Sequence, residues 1–230
     1  ESLNKADKAL ESVIGGVADM AWMVMGYWEG RFPLSSVMLL PFMVPIEGTK
    51  DGKKYTDSAI GGLIMQALYE KFPEIQKEWQ DVKVLYLLQG NALNPNHTSK
   101  PIRNMNDLKG QKMRQDGAYP QEMYKLLGAS PVFMPLPEIY ASLEKGVIDG
   151  TSASVAMLQN FKLFEVLKYR TNVATTCPVL ATIMNKNKWN SLPKDVQDGI
   201  MSVSGSYGSL YAGETWGGFG ELDKAFEMFN

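Results

Sequence analysis

Few residues in this sequence are suited to chemistry, and one of them stands at the end of a strand. In DLKGQKMRQDGAYP, residues 107–120, the segment 111–115 reads as a short strand and Asp116-Gly117 as the turn after it. Arg114 sits at the carboxyl end of that strand, the side on which open α/β sheets hold their ligands. Its guanidinium is a planar, charged fork that two carboxylate oxygens can meet together. Position alone equally allows an ordinary solvent-facing arginine.

Groups for covalent or acid–base work are scarce. The single histidine, His97, lies in NPNHTS and reads as a solvated loop residue. The single cysteine, Cys177, excludes an internal disulfide and a Cys-based zinc site. Glu138 and Glu144 fall on one short helix rather than across a cleft. No CxxC, HExxH or phosphate loop is present, and GGFGEL near the end follows helical sequence, so it is discounted as a dinucleotide loop. No cofactor and no metal is implied. An enzyme on such a scaffold would have to find its base among Asp19, Asp116, Glu138 and Asp149.

Recognition groups are easier to find. DGTSAS supplies Ser152, Ala153 and Ser154, with free backbone amides, just beyond the Asp149-Gly150 turn. VFMPLPEIY holds Met134 and Leu136 between prolines as an apolar wall. WMVMGYW ends a buried run with Tyr27 and Trp28, which either stack on a ligand or pack a lobe interface. Fourteen methionines are many for this length; those beside strands, such as Met23 and Met113, read mainly as core.

These groups need a framework, and the chain alternates helical and strand signals in the manner of an α/β protein. Its 230 residues suffice for two lobes, and a net charge of −2 leaves no basic face for nucleic acid. No run of 18 apolar residues spans a membrane. The expected order begins with a helix over 5–14, a continuously buried strand over 17–25, a proline-broken apolar segment, a helix over 56–72 and a strand over 82–90. A polar loop over 91–106 leads into three βα units, with strands at 111–115, 130–134 and 147–154 and a last helix over 155–167. Short links between these units predict parallel pairing through right-handed crossovers. Residues 171–185 read as one or two extended strands crossing between lobes. A long helix is expected from Leu192-Pro193, weakened by seven glycines from Gly199 to Gly220. Helical sequence at both termini suggests a chain cut at each end.

From residue 104 to 150, NMNDLKGQKMRQDGAYPQEMYKLLGASPVFMPLPEIYASLEKGVIDG closely resembles the solute-binding proteins of TRAP (tripartite ATP-independent periplasmic) transporters. The family pattern, a DLKG-K-R strand followed by LGA-PV-MP--E-Y-AL--GV-DG, falls on residues 107–110, Lys112, Arg114, 127–132, Met134, Pro135, Glu138, Tyr140, Leu143 and 146–150. GVADMA, GRFPLSSVMLLPF, FKLFEVLKY and MNKNKWNSLPKDVQ extend the likeness along the chain.

The resemblance implies a two-lobed periplasmic binding fold, type II-like, with mixed sheets, crossover strands and a long interlobe helix. Residues 1–91 and 179–218 would form lobe I, lacking its N-terminal strand region, and 92–178 with 219–230 lobe II. The protein would capture an organic acid by hinge closure and deliver it to TRAP permease membrane subunits. It would be periplasmic and monomeric, with a swapped dimer as the alternative. Arg114 takes the position of the ligand-carboxylate arginine, and Leu136 one that often faces the ligand. Many relatives carry ENP after DG; here Ser152-Ala153-Ser154 stand there, so that asparagine's role does not transfer to Ala153. Sialic-acid binders have a second arginine, which by spacing falls near Asn94. One cationic anchor favours a monocarboxylate. Relatives usually begin earlier and continue beyond Asn230. A ligand-sensing module of a receptor or regulator is the other non-enzymatic reading.

Overall fold

The computed structural model describes residues 3–28, 30–43, 47–50, 52–216 and 227–228. In chain order the strands are β1 (Met20–Val24), β2 (Glu47–Lys50), β3 (Lys53–Thr56), β4 (Val82–Gln89), β5 (Asn94–His97), β6 (Lys112–Gln115), β7 (Ser130–Phe133), β8 (Gly150–Ala153), β9 (Tyr169–Arg170) and β10 (Val179–Asn185). The helices are α1 (Ala9–Ile14), α2 (Asp57–Lys71), α3 (Pro73–Glu78), α4 (Ala118–Leu126), α5 (Ile139–Glu144), α6 (Val155–Asn160), α7 (Lys186–Ser191), α8 (Lys194–Ser202) and α9 (Gly205–Trp216).

The first sheet has the order β1-β10-β4, with β10 antiparallel to both neighbours. β1 and β4 therefore run the same way and end at one edge, where β10 begins. The continuous burial expected over 17–25 is not found. Strand alternation sends Met23 into the core with Leu10, Val13, Trp79 and Ile183, while Met20 and Trp22 stay exposed. Thr56 caps α2 by accepting a hydrogen bond from Ala59 N–H at 3.2 Å. α2 packs with α9 against β4. β2 and β3 form a separate hairpin.

The second sheet has the order β7-β6-β8-β5-β9. β6 pairs in parallel with β7 and β8, as short βα units dictate, and β5 pairs antiparallel with β8 and β9. Tyr124 of α4, Met113 and Leu108 make one core cluster; Ile139, Leu143, Ala153 and Leu158 make another. All three parallel strands end at one edge.

β5 lies inside the segment expected to be a polar loop. Asn-Pro-Asn-His has poor strand propensity, but all four residues are buried and pair with β8 in register from Asn94↔Ala153 to His97↔Gly150. His97 is accordingly not solvated. Its Nδ1 accepts from Ser99 N–H (3.1 Å) and Lys100 N–H (3.3 Å), which leaves the ring proton on Nε2, 2.8 Å from Gln111 Oε1.

Two helices are shorter than expected. The one begun at Val155 stops at Asn160, because Lys162 adopts a left-handed conformation (φ +53°) before a short 3₁₀ turn over Leu163–Glu165. The stretch from Leu192-Pro193 is divided into α8 and α9, with Gly205, the first residue of α9, at φ +57°. GGFGEL and most of the C-terminal ten residues lie outside the described residues. Among the described residues no helix is long and apolar enough to cross a membrane.

The chain passes between the sheets at residues 90–93 and 175–178, and the two passages bond to each other. Gly90 N–H donates to Pro178 O (2.8 Å), Leu93 N–H to Thr176 O (2.7 Å) and Thr175 N–H to Leu93 O (2.9 Å).

The helical glycines divide into two physical kinds. A Cβ on Gly213 of α9 would lie 2.6 Å from Ala59 Cα, so this glycine permits the α2–α9 approach, whereas a Cβ on Gly199 of α8 would meet nothing within 4 Å. Gly199→Ala should raise stability by about 0.5–1 kcal/mol, and Gly213→Ala should lower it by about 1–3 kcal/mol. Denaturant midpoints at unchanged slope measure both. Equal effects of the two substitutions would contradict the close-packing role of Gly213.

Candidate functional site

The carboxyl edges of the two sheets face one another across a cavity of about 40 Å³. β6 and the segments just after β6, β7 and β8 contribute Arg114, Asp116, Leu136 and Ser154; β1 and the segments just after β1 and β4 contribute Trp22, Tyr27 and Asn91. A neighbouring groove of about 290 Å³ shares Trp22, Tyr27 and Leu136.

Arg114 is 1% exposed. Its Nε–H donates to Met134 O at 2.7 Å, which orients the fork, while Nη1 has no acceptor among the described residues. None of the ion pairs among the described residues involves it. A buried guanidinium so placed favours an anion strongly, since Coulombic attraction grows as the surroundings lose water.

Tyr27 reaches across from the first sheet. Its hydroxyl accepts from Leu136 N–H at 3.0 Å, and its ring meets Phe133 edge to face at 5.9 Å. Burial pushes the hydroxyl pKa up, against the pull of the Arg114 charge, so Tyr27 is a neutral group that both donates and accepts. Just before it, Gly26 lies against the turn after β6: a Cβ there would stand 2.5 Å from Asp116 O. This backbone contact brings Tyr27 and Arg114 to one place.

The first-sheet wall is mainly apolar. Val24 and Leu180 belong to a buried cluster with Leu88, and Trp22 stacks on Trp216 at 5.5 Å and 19°. Asn91 and the passage beside it are held by Asp57 at the start of α2. Asp57 Oδ1 accepts from Ser58 N–H (2.7 Å) and Asn91 Nδ2 (3.1 Å), and Oδ2 from Ala92 N–H (2.5 Å). Burial raises the Asp57 pKa and these three hydrogen bonds oppose the rise.

Of the residues expected at a site, Arg114, Leu136, Ser154 and Tyr27 line this cavity. Trp28, Ser152, Ala153 and Asn94 do not. Trp28 turns into the first core and donates from Nε1 to Glu11 Oε1 at 2.8 Å. Ser152 Oγ donates to Tyr124 Oη at 2.8 Å beneath α4, where burial pushes the Tyr124 hydroxyl up to about 12. Ala153, next along β8, points to the opposite face and is fully buried there. Asn94 Oδ1 accepts from Val173 and Ala174 N–H, both at 2.8 Å, and thereby fixes the second passage.

Sequence reasoning missed Trp22, Asn91 and Trp216 as site residues. Asn91 follows the carboxyl end of β4, the criterion that singled out Arg114. Trp22 falls two residues before Val24, and the period of two places both on the cavity face. Trp216 carried no local signal, because only the packing of α9 brings it there.

Two α/β sheets with their edges around a buried arginine, linked by paired passages, define the fold of a periplasmic binding protein. The chain belongs to the bacterial extracellular solute-binding proteins of family 7 (DctP), whose family model matches residues 1–215. It is 29% identical, with a TM-score of 0.87, to a marine-metagenome TRAP solute-binding protein specific for aromatic acid ligands and solved with metahydroxyphenylacetate; 98% of this chain and 68% of that one are covered. A TRAP solute-binding protein of Rhodoferax ferrireducens with copurified benzoate is 27% identical, with a TM-score of 0.87 and the same coverage of 98% and 68%. Among curated relatives, the 2,3-diketo-L-gulonate-binding periplasmic protein YiaO of Escherichia coli is 25% identical over 210 residues, 90% of this chain. The chain spans 60% of that relative's length.

Tyr27→Phe removes the acceptor of Leu136 N–H while keeping the ring. Stability should fall by about 0.5–1.5 kcal/mol, read from denaturant midpoints. An unchanged midpoint would mean that the hydroxyl adds nothing to the contact between the sheets.

Proposed function

We propose that this chain is the ligand-binding part of a periplasmic TRAP receptor that captures an aromatic monocarboxylate and delivers it to the membrane permease. The carrying observation is Arg114: a buried, pre-oriented fork whose Nη1 has no acceptor among the described residues. The apolar wall with stacked Trp22 and Trp216 suits a ring. Two similar solved proteins bear aromatic acids, which supports the same class of ligand here.

In this reading lobe I comprises residues 1–91 and 179–218, and lobe II comprises 92–178 and 219–230. The paired passages at 90–93 and 175–178 are the hinge. A cavity of 40 Å³ holds only a few waters, so an organic acid enters when the lobes part. Closure then excludes water, and the ligand shifts the lobes only through contacts that are better in the closed form. The carboxylate meets Arg114 through two hydrogen bonds, and the ring lies against Trp22 and Tyr27. Transport energy comes from the permease, and the chain serves as carrier rather than catalyst.

Calorimetry with benzoate and phenylacetate tests this proposal. Arg114→Ala should weaken binding by about 2–5 kcal/mol, and Arg114→Lys should also bind more weakly because the fork is lost. The uncharged methyl esters should not bind. Unchanged affinity of Arg114→Ala for both acids would sink the carboxylate assignment.

A further inference from the structure

Asn91 gives the cavity a second polar group whose sign is fixed by its neighbours. It is 2% exposed and lines the same cavity as Arg114. Its amide could in principle point either way, and the hydrogen-bond network decides which. Asp57 receives Asn91 Nδ2 at 3.1 Å, together with Ser58 N–H and Ala92 N–H. The two backbone neighbours can only donate, Ser58 N–H to Oδ1 and Ala92 N–H to Oδ2, so each carboxylate oxygen already has a donor and the ionised form is favoured. Asp57 also opens α2, where the helix dipole favours its anion. An ionised carboxylate only accepts, so Asn91 must turn its NH₂ toward Asp57 and leave Oδ1 on the other side. That Oδ1 is buried and has no donor among the described residues.

The cavity thus presents polar groups of both kinds. Arg114 offers donors, and Ser154 Oγ, which accepts from Met157 N–H at 3.3 Å, can add its own proton. Asn91 offers an acceptor. A buried acceptor left without a donor carries a desolvation penalty. A ligand that fills the apolar space with plain hydrocarbon imposes that penalty; one that brings a hydroxyl removes it.

We infer that Asn91 Oδ1 accepts a hydrogen bond from a ring hydroxyl of the bound acid, and that the site therefore selects a hydroxylated aromatic monocarboxylate over its unsubstituted parent. This rests on Arg114 as the carboxylate anchor. Asn91 is neutral, which suits a hydroxyl better than an ammonium group. Asp57 acts through Asn91 by fixing the amide and does not touch the ligand.

The test is a matched ligand series on the full chain: phenylacetate, its three ring-hydroxylated isomers and their methyl ethers, measured by calorimetry. At least one hydroxylated isomer should bind roughly 5- to 150-fold more tightly than phenylacetate. Its methyl ether, which cannot donate, should lose that gain. In Asn91→Ala and Asn91→Leu, whatever their affinity for phenylacetate, the hydroxylated isomers should bind no more tightly than phenylacetate does to the same variant. Should neither variant fold, the ligand series on the unaltered chain still decides: a preference below that range, or one shared by the methyl ether, overturns the inference. A preference that survives in Asn91→Ala but vanishes in Asp116→Asn reassigns the acceptor to Asp116 and equally overturns it. Acids that bind alike through Arg114 defeat only this inference. If no acid binds at all, the carboxylate reading fails and takes the inference with it.

Discussion

Removing the Arg114 guanidinium from water without a carboxylate at ion-pair distance is costly, and the structure around it makes sense as the means of holding that charge in place. One hydrogen bond to Met134 O fixes the fork at Nε, and the segment after β7 that supplies this carbonyl also supplies Leu136 to the cavity wall. Tyr27 then joins Leu136 N–H to the first sheet. The cost of burying the cation falls on the unliganded fold; an anion between the sheets offsets it. Under the proposed reading, that difference couples ligand capture to the relation between the two sheets, since only a closed arrangement keeps water from sharing the charge.

Holding the two edges together requires backbone contacts that side chains would prevent. Gly26 against Asp116 O is the tightest of these between the sheets. On the side of the passages, Asp57 bonds both the backbone and the side chain beside Gly90 with one carboxylate, and Asn94 does the same service for residues 173 and 174 with one amide. The passages are therefore ordered by buried polar groups rather than by bulky packing. Such bonds fix the course of the two passages, which under the proposed reading form the joint between the lobes.

Much of this was legible in the sequence, for identifiable reasons. The three βα units follow from glycine stops at Gly128 and Gly146 and from short links, and the observed parallel pairing of β6 with β7 and β8 agrees. Arg114 was singled out because its strand end is unambiguous, and it lines the cavity. β5 was not, because asparagine and proline mark loops locally while β8 and β9 impose the strand from either side. His97 went with it, a histidine read as wet that in fact bonds Gln111 and two backbone amides. Ser152 and Ala153 were taken as site residues from their place after Asp149-Gly150. The pleat sends them to opposite cores, and only Ser154, beyond the last paired residue, turns toward the cavity. The glycines of the last helical stretch read as weakness, yet Gly213 is where α9 meets α2.

The proposed preference for a monocarboxylate can also be argued from this geometry. By sequence it depended on the absence of a second arginine near Asn94, and absence is a weak ground. In the structure, Asn94 is spent on Val173 and Ala174, and the polar side chains that share the cavity with Arg114 are Tyr27, Asn91, Asp116 and Ser154. None of them is a cation. Under the proposed reading, a second ligand carboxylate placed beyond reach of Arg114 would find no cation among the described lining residues and would face the carboxyl of Asp116 and the amide oxygen of Asn91. Discrimination against dicarboxylates then follows from groups that are present and oppose them, while a neutral ring edge with a single donor meets no such opposition.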